Sequence, residues 1–413
     1  MNRSRVAAAA AASLLALTAV AAAQSSSAAP SPAAGQKNSE KDQPNGKVDS
    51  LRVATYNLSL NRSTEGQLVR DLSTPDNTQA RNVAEVIQRT NPDVVLLNEF
   101  DYVAGGKAVD LFRDNYLERS QNGAPAVTYP YAYTAPVNTG VPSGFDLNND
   151  GTVGGGDDAY GFGLFPGQYG MVVLSKYPIQ TENVRTFQNF LWKDMPGNVM
   201  PTDWYSPQEQ DIFRLSSKSH WDVPITVGKR TVHVLAAHPT PPTFDGPEDR
   251  NGRRNHDEIR FWADYITPGK GKYIYDDAGT TGGLNPSEPF VILGDYNADP
   301  YDGDSYQGAI NQLLDNKRVV DPLNSSEGAV EASQEQGGAN LTHEGDPKYD
   351  TADFADTTPG NLRIDYTLLS KHLRPTDAGV FWPVRSDPLW RLTGEYPFPT
   401  SDHRLVWTDV SLR

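Results

Sequence analysis

Six short segments end in side chains that can hold a cation or move a proton. "ATYN" ends at Asn57, "LLNE" at Glu99 and "LAAH" at His238. "ILGDYN" carries Asp295 and Asn297, "RIDY" carries Asp365, and "SDHR" carries Asp402 and His403. Carboxylate and amide oxygens suit hard divalent cations, and imidazole exchanges protons near neutral pH. Such a set suits water attack on an anionic ester, which needs charge neutralisation, a base and stabilisation of developing charge. Singly, each has a plainer reading, because Asn and Asp commonly cap turns. "PFVILGDYNADP" shows both readings: an apolar run over 290–293, an exit at Gly294, then Asp295, Asn297 and Asp299 at alternating positions. Asp299 reads as the cap of the next turn.

Regular elements deliver these residues. Residues 51–60, 93–100 and 169–179 read as strands, the latter two as buried ones. A helix is expected over 77–89, where Ala80, Val83, Ala84, Val86 and Ile87 share a face, and another over 255–266. Gly228-Lys229 joins two strand-like runs into a hairpin. Further strands open at Phe290, cover 362–370 and close the chain. Strands interspersed with helices suggest sheets between helix layers. Polar insertions at 119–168, 186–216 and 324–360 are expected to surround the face that carries the site.

Taken in order, Asn57, Glu99, His238, Asp295/Asn297, Asp365 and Asp402/His403 resemble the endonuclease/exonuclease/phosphatase superfamily over about residues 50–412. That group includes pancreatic deoxyribonuclease, AP endonucleases, inositol polyphosphate 5-phosphatases and neutral sphingomyelinases. The resemblance implies an α/β fold, a four-layer sandwich with two central mixed β-sheets flanked by helices. It implies catalytic Mg²⁺ (or Mn²⁺) on Glu99 with help from Asn57 and Asp402. Asp295 and Asn297 would orient the attacking water or a phosphate oxygen. His403, oriented by Asp365, and His238 on the opposite side would divide the proton and phosphate work in a manner left open. Departures narrow the branch. His238 and Ser59 stand where AP endonucleases carry Asn and Asp, and Asp101 stands where pancreatic-type deoxyribonucleases carry an Arg that reaches into DNA. AP-site repair is disfavoured and minor-groove cutting is unsupported.

Arg253 and Arg254, in "GPEDRNGRRNHDE", are candidates for a phosphate clamp in an acidic chain; the alternative is a salt-bridged helix start. Tyr169 joins them as a substrate-binding candidate. "DLNNDGTVGGGD", residues 146–157, matches a calcium loop: Asp146, Asn148 and Asp150 at positions 1, 3 and 5, Gly151 at the turn, the Thr152 carbonyl at 7 and Asp157 closing. The closing Asp resembles dockerin-type loops, and Ca²⁺ there would order the insertion.

Composition sets the remaining bounds. Residues 1–23 have the layout of a secretory signal peptide, residues 24–47 of a flexible Ser/Ala/Pro-rich tether, and one domain is expected over 48–413. The net charge is −16; removing the two arginines of 1–23 makes it −16 − 2 = −18. Such a surface excludes a generic DNA-coating protein and requires local cations for a polyanionic substrate. With 0 cysteines, stability rests on the core rather than disulfides. The expectation is a secreted, monomeric, metal-dependent phosphoester hydrolase without membrane insertion, a phosphodiesterase or nuclease first. A phosphomonoesterase for sugar or inositol phosphates, a sphingomyelinase-like phospholipase and an inactive binding protein are the alternatives.

Overall fold

The computed structural model describes residues 48–412 and the backbone of Ala33–Ala34. The leader expected at 1–23 and the rest of the 24–47 tether lie outside the described residues.

The strands are β1 (Ser50–Asn57), β2 (Val94–Asn98), β3 (Tyr131–Thr134), β4 (Met171–Ser175), β5 (Arg185–Thr186), β6 (His220–Val227), β7 (Arg230–Ala237), β8 (Phe290–Asp295), β9 (Val319–Val320), β10 (Asp365–Ser370), β11 (Arg374–Val380) and β12 (Val406–Ser411). The helices used below are α1 (Thr78–Thr90), α2 (Arg250–Ile266) and α3 (Glu327–Gln336). One sheet runs Ala33–Ala34, β3, β4, β2, β1, β12, β11; the other runs β9, β10, β8, β7, β6, β5. Each is mixed, with one parallel pair at its centre: β1 beside β2, and β7 beside β8. α1 connects the first pair and α2 the second, as a parallel pair needs a crossover.

Three apolar layers make this a four-layer sandwich. Val53, Leu96, Val173, Val223, Val234 and Leu293 fill the space between the sheets. Val83, Ala84 and Ile87 of α1 cover the outer face of the first sheet at Tyr56, Leu97 and Leu174. Ile259, Trp262 and Ile266 of α2 cover the second at Leu235, Ile292 and Leu368. Burial of both faces of each sheet explains why the strands read as continuous apolar runs.

Two expectations change. The 186–216 insertion is not a polar rim: Phe187, Phe190, Trp192, Met195, Tyr205, Phe213 and Leu215 are buried against α2. α2 also begins at Arg250, five residues ahead of the expected start. β11 and α3 are elements beyond the sequence reading. Among the described residues no helix is long and apolar enough to cross a membrane.

Candidate functional site

The two parallel pairs end on the same edge of the sandwich and deliver the polar set there. Asn57 ends β1 and Asp295 ends β8; Asp365 opens β10 directly opposite Asp295 in the antiparallel register. Asp295 is the meeting point. Its Oδ2 accepts the Asn57 Nδ2–H at 3.0 Å and lies 3.3 Å from His238 Nε2 and 3.6 Å from His403 Nε2. Its Oδ1 accepts the Asn297 N–H at 3.0 Å, while Asn297 Nδ2 donates to the Pro239 carbonyl at 3.1 Å. Across from it, His403 Nδ1 is 2.9 Å from Asp365 Oδ2, which also accepts the Thr351 hydroxyl at 2.8 Å.

The two histidines carry opposite charge states. Burial, reinforced by Lys218 and His403, holds the His238 ring well below the ordinary imidazole range, so it is neutral. Burial also opposes charge on His403, but Asp365, Asp295 and Asp402 overcome it and hold the imidazolium well above that range. Asp295 is pushed up to about 6 by burial, with the His403 charge pulling down and Asp365 pushing up. Environments that drive neighbouring groups apart in this way mark acid–base machinery.

Glu99, Asn57 and Asp402 form the other side of the same site. Burial raises the Glu99 carboxyl; His403 and Asn57 counter this, while Asp402 and Asp295 add to it. Ser59 ties the group together: its N–H donates to Asn57 Oδ1 and its hydroxyl to Asp402 Oδ1, both at 3.1 Å. Ser59, Glu99, Tyr169 and Asn297 sit at φ of 47°, 55°, 57° and 51°, left-handed values that cost non-glycine residues about 1–2 kcal/mol each. Four such residues around one site indicate a backbone held for function. Tyr169 is placed near Glu99 and Asp101, whose charges, after burial, raise its phenol. Asp101 is buried and accepts the N–H groups of Arg62 (2.9 Å) and Tyr169 (3.2 Å), so it fixes the rim rather than facing solvent.

The donors fit a divalent cation. Glu99, Asp295, Asp365 and Asp402 converge on a site where the His403 ring, Lys218 and Arg404 are the neighbouring cations, and among the described residues the buried Asp365 Oδ1 has no hydrogen-bond partner. Asp295, Asp365 and His403 present ligand atoms all within 4.8 Å of one another. A metal therefore has two sets of neighbours, the Glu99 side expected from the sequence and this Asp/Asp/His group, which the sequence reading had assigned to catalysis.

Three residues escaped that reading. Lys218 is buried; burial depresses its ammonium, and Glu258, Glu99 and Asp295 oppose the depression, which places its charge toward the site. Glu258, 1% exposed, accepts the N–H of Ser217 at Oε1 and of Thr240 at Oε2, both at 2.6 Å. Three residues earlier on α2, Asn255 donates to the carbonyls of Thr240 and Tyr296 at 2.8 Å each. The inner face of α2 thus clamps the strand ends that carry Lys218, His238 and Asp295.

The arginine clamp is corrected. Arg254 is buried and donates to the carbonyls of Leu215 (2.8 Å), Tyr160 (2.5 Å) and Arg214 (3.0 Å), which anchors the insertions. Arg253 donates to the Glu248 carbonyl at 3.1 Å and stacks 5.2 Å from the Tyr306 ring. Neither contacts the site residues.

A groove of about 790 Å³ opens beside Asp402, walled by Asp353, Phe354, Asp356, Glu395, Tyr396 and Phe398. Phe354 meets the His403 ring edge-on at 5.7 Å. Arg385, also in its wall, is paired with Glu335 and Glu395. In the 146–157 loop, Asp146 accepts the N–H of Asp150 (3.1 Å) and Gly151 (2.8 Å), and Asp150 accepts that of Thr152 (2.8 Å). Asn148 Oδ1 accepts the Asp150 N–H at 3.1 Å. Asp157 is exposed; the carboxylate that closes on the loop is the buried Asp158, which accepts the N–H of Leu147 and Gly154 at 2.7 Å each.

This fold and this site fit a phosphoesterase. The model of the Endonuclease/Exonuclease/phosphatase family matches residues 54–403, and the chain belongs to that family, whose members are hydrolases acting on phosphoesters. A comparison with curated proteins gave no match. Solved structures of similar fold include an endonuclease/exonuclease/phosphatase from Beutenbergia cavernae, at 18% identity over 88% of this chain and 72% of that one (TM-score 0.48). Sphingomyelinase C from Streptomyces griseocarneus is 18% identical over 88% of this chain and 99% of that one (TM-score 0.44). TDP2 from Caenorhabditis elegans is 15% identical over 88% and 74% (TM-score 0.43).

Proposed function

We propose that the protein is a secreted, divalent-metal-dependent phosphodiesterase that hydrolyses short phosphodiesters, nucleotide or nucleic-acid linkages included. The observation that carries this is the approach of two imidazoles to one shared carboxylate: His238 Nε2 and His403 Nε2 lie 3.3 and 3.6 Å from Asp295 Oδ2. Asp295, near neutrality and held by Asn57 and Asn297, accepts the proton of the attacking water. His403, its Nδ1 held by Asp365, presents Nε2–H to a phosphate oxygen or the leaving oxygen. His238 hydrogen-bonds on the opposite side, and Lys218, whose ammonium burial depresses and Glu258, Glu99 and Asp295 favour, stands near it. A bound Mg²⁺ or Mn²⁺ would neutralise phosphate charge, with Glu99, Asn57 and Asp402 as its holders. The leader-like pattern of residues 1–23 supports export, and the Asx-type turns of Asp146, Asn148 and Asp150 support structural Ca²⁺ in the 146–157 loop.

The groove favours a small or neutral substrate over duplex DNA. Its carboxylates Asp353, Asp356 and Glu395 repel a polyanion, whereas Phe354, Tyr396 and Phe398 can stack on a base or enclose an apolar or cationic head. The test is hydrolysis of bis-(p-nitrophenyl) phosphate, p-nitrophenyl phosphate and plasmid DNA with Mg²⁺, Mn²⁺ or Ca²⁺, alongside EDTA and His403→Ala. Metal-dependent diester cleavage lost in the variant is expected. Turnover of the monoester alone would replace this reading with a phosphomonoesterase, and no turnover under any metal would favour a binding protein.

A further inference from the structure

The segment between the 146–157 loop and β4 presents a large apolar ring to solvent beside the catalytic group: Phe162 is 53% exposed. Single exposed rings are ordinary on a protein surface. This one stands on a backbone fixed from both sides. A Cβ on Gly161 would overlap the Ser217 carbonyl, and one on Gly167 would lie 2.7 Å from the Tyr102 carbonyl oxygen, so only glycine permits these approaches. On the first side the Gly161 N–H donates to the Asn138 carbonyl at 3.2 Å, and the Asn138 N–H donates to the carbonyl of Lys218 at 2.8 Å. On the second side the segment runs along the chain that leaves Glu99. Phe100 donates to the Gly170 carbonyl (3.1 Å), Tyr102 to that of Gly167 (2.7 Å), and the Tyr169 N–H to Asp101 Oδ1 (3.2 Å). Between them the buried Gln168 side chain accepts the Leu164 N–H at 2.7 Å and donates to the Arg62 carbonyl at 2.6 Å.

The ring itself is braced as well. Its centroid lies 6.4 Å from that of Tyr169, with the planes 40° apart, and a Cβ on Gly156 would come within 3.0 Å of its Cε2. We propose that Phe162, backed by Tyr169, sets substrate specificity by receiving a flat apolar group esterified to the phosphate. The inference rests on the phosphodiesterase reading and adds which kind of ester group the site prefers. Aromatic faces attract flat rings in offset or edge-on contact without regard to the ring's hydrogen-bonding pattern. A ring already held in place loses little freedom when it makes such a contact, so more of the contact appears as affinity. The position suits this role, because the segment that carries Phe162 touches the chain at Lys218 on one side and the chain leaving Glu99 on the other.

The test measures binding of diphenyl phosphate and of dimethyl phosphate to the full chain with Mg²⁺ by calorimetry, beside KM and kcat for bis-(p-nitrophenyl) phosphate. Wild type is expected to bind the diphenyl ester more tightly than the dimethyl ester. Phe162→Ala is expected to keep the wild-type Tm, because the ring is more than half exposed. It should lose roughly 5-fold in affinity for diphenyl phosphate, the worth of one aromatic contact, and bind dimethyl phosphate as wild type does. KM for the aryl substrate should rise by the same factor with kcat unchanged, and Phe162→Trp should restore both. Equal affinity of wild type for the two esters would overturn the proposal. So would an aryl preference that survives in Phe162→Ala, or a loss of affinity in that variant that is equal for both esters. The two readings fail separately: a Phe162-dependent aryl preference without turnover under any metal would support the ring's role and sink the phosphodiesterase reading, whereas turnover without that preference would sink the ring's role alone.

Discussion

Replacing Glu258 with glutamine removes one acceptor where two buried backbone donors need one each. Glu258 takes the Ser217 N–H on one oxygen and the Thr240 N–H on the other, both at 2.6 Å. Glutamine keeps one oxygen and turns an NH₂ donor against the second N–H. An unsatisfied buried donor costs about 1–3 kcal/mol, and loss of charge assistance in the remaining bond costs about 1 kcal/mol more. The sum, about 2–4 kcal/mol, corresponds to a fall in Tm of roughly 3–5 °C at about 2.1 cal/mol/K of unfolding entropy per residue. Activity falls as well, because Ser217 precedes Lys218 and Thr240 follows His238 by two residues. A displacement of about 1 Å there costs on the order of 10²-fold in kcat. The assay pairs thermal unfolding with steady-state hydrolysis of bis-(p-nitrophenyl) phosphate. Glu85→Gln is the control: Glu85 is also buried, yet its partners are Arg89, Asn122 and Arg391, away from the site. It should lose stability and keep kcat. The reasoning is refuted if Glu258→Gln retains both Tm and kcat, or if Glu85→Gln loses kcat equally, since general destabilisation would then explain both.

Lys218→Met should fold and lose about 10–100-fold in kcat/KM, the worth of one charge-assisted hydrogen bond to phosphate; an unchanged kcat/KM would remove Lys218 from the site. His233 supplies a pH signature away from the site: its Nδ1 is 2.6 Å from Asp222 Oδ1, and although burial opposes charge, the Asp222 bond raises the ring above its unfolded value. Its contribution is therefore fully present below the unfolded value of about 6.5 and is lost as pH rises through the folded one. Urea midpoints of wild type and His233→Gln should differ most at about pH 5.5 and converge at high pH; a gap that widens with pH would reverse the assignment. Asp158→Asn should weaken calcium-dependent protection of the 146–157 loop from proteolysis more than Asp157→Asn does, because Asp158 is the carboxylate turned inward; equal effects would return the closing role to Asp157.

How far the site was legible depended on what each residue needs. Asn57, Glu99, His238, Asp295, Asp365 and His403 sit at or near ends of strongly apolar strands, so type and order sufficed to predict that they converge. The arginines misled because charge in an acidic chain suggests a ligand, while the direction of a helical side chain depends on where the helix starts. With α2 beginning at Arg250, Arg254 turns inward and its donors meet carbonyls. The better signal was Asn255 and Glu258, polar residues three apart in the apolar stripe that Ile259 and Trp262 continue; buried polar groups on such a face must have partners, and here those partners are the site's own strand ends. Lys218 was reachable too. Counting the hairpin back from Gly228-Lys229 pairs His220 with Ala237 and so brings Lys218 alongside the residues that follow His238. The 186–216 insertion misled by composition, because its aromatic residues are spaced without strand or helix period and become a layer only once α2 offers them a surface.

The charge states of the two histidines follow from the fold rather than from the motif. Both rings approach Asp295 Oδ2, at 3.3 and 3.6 Å, so proximity to that carboxylate does not separate them. What separates them is the second neighbour. β10 brings Asp365 to His403, whereas β6 leads in from Lys218 beside His238, and among the described residues the buried His238 Nδ1 has no partner. One ring gains an anion and the other meets a cation. A family motif that names two histidines therefore leaves their roles open, and the register of β10 on β8 together with that of β6 on β7 decides which one is charged.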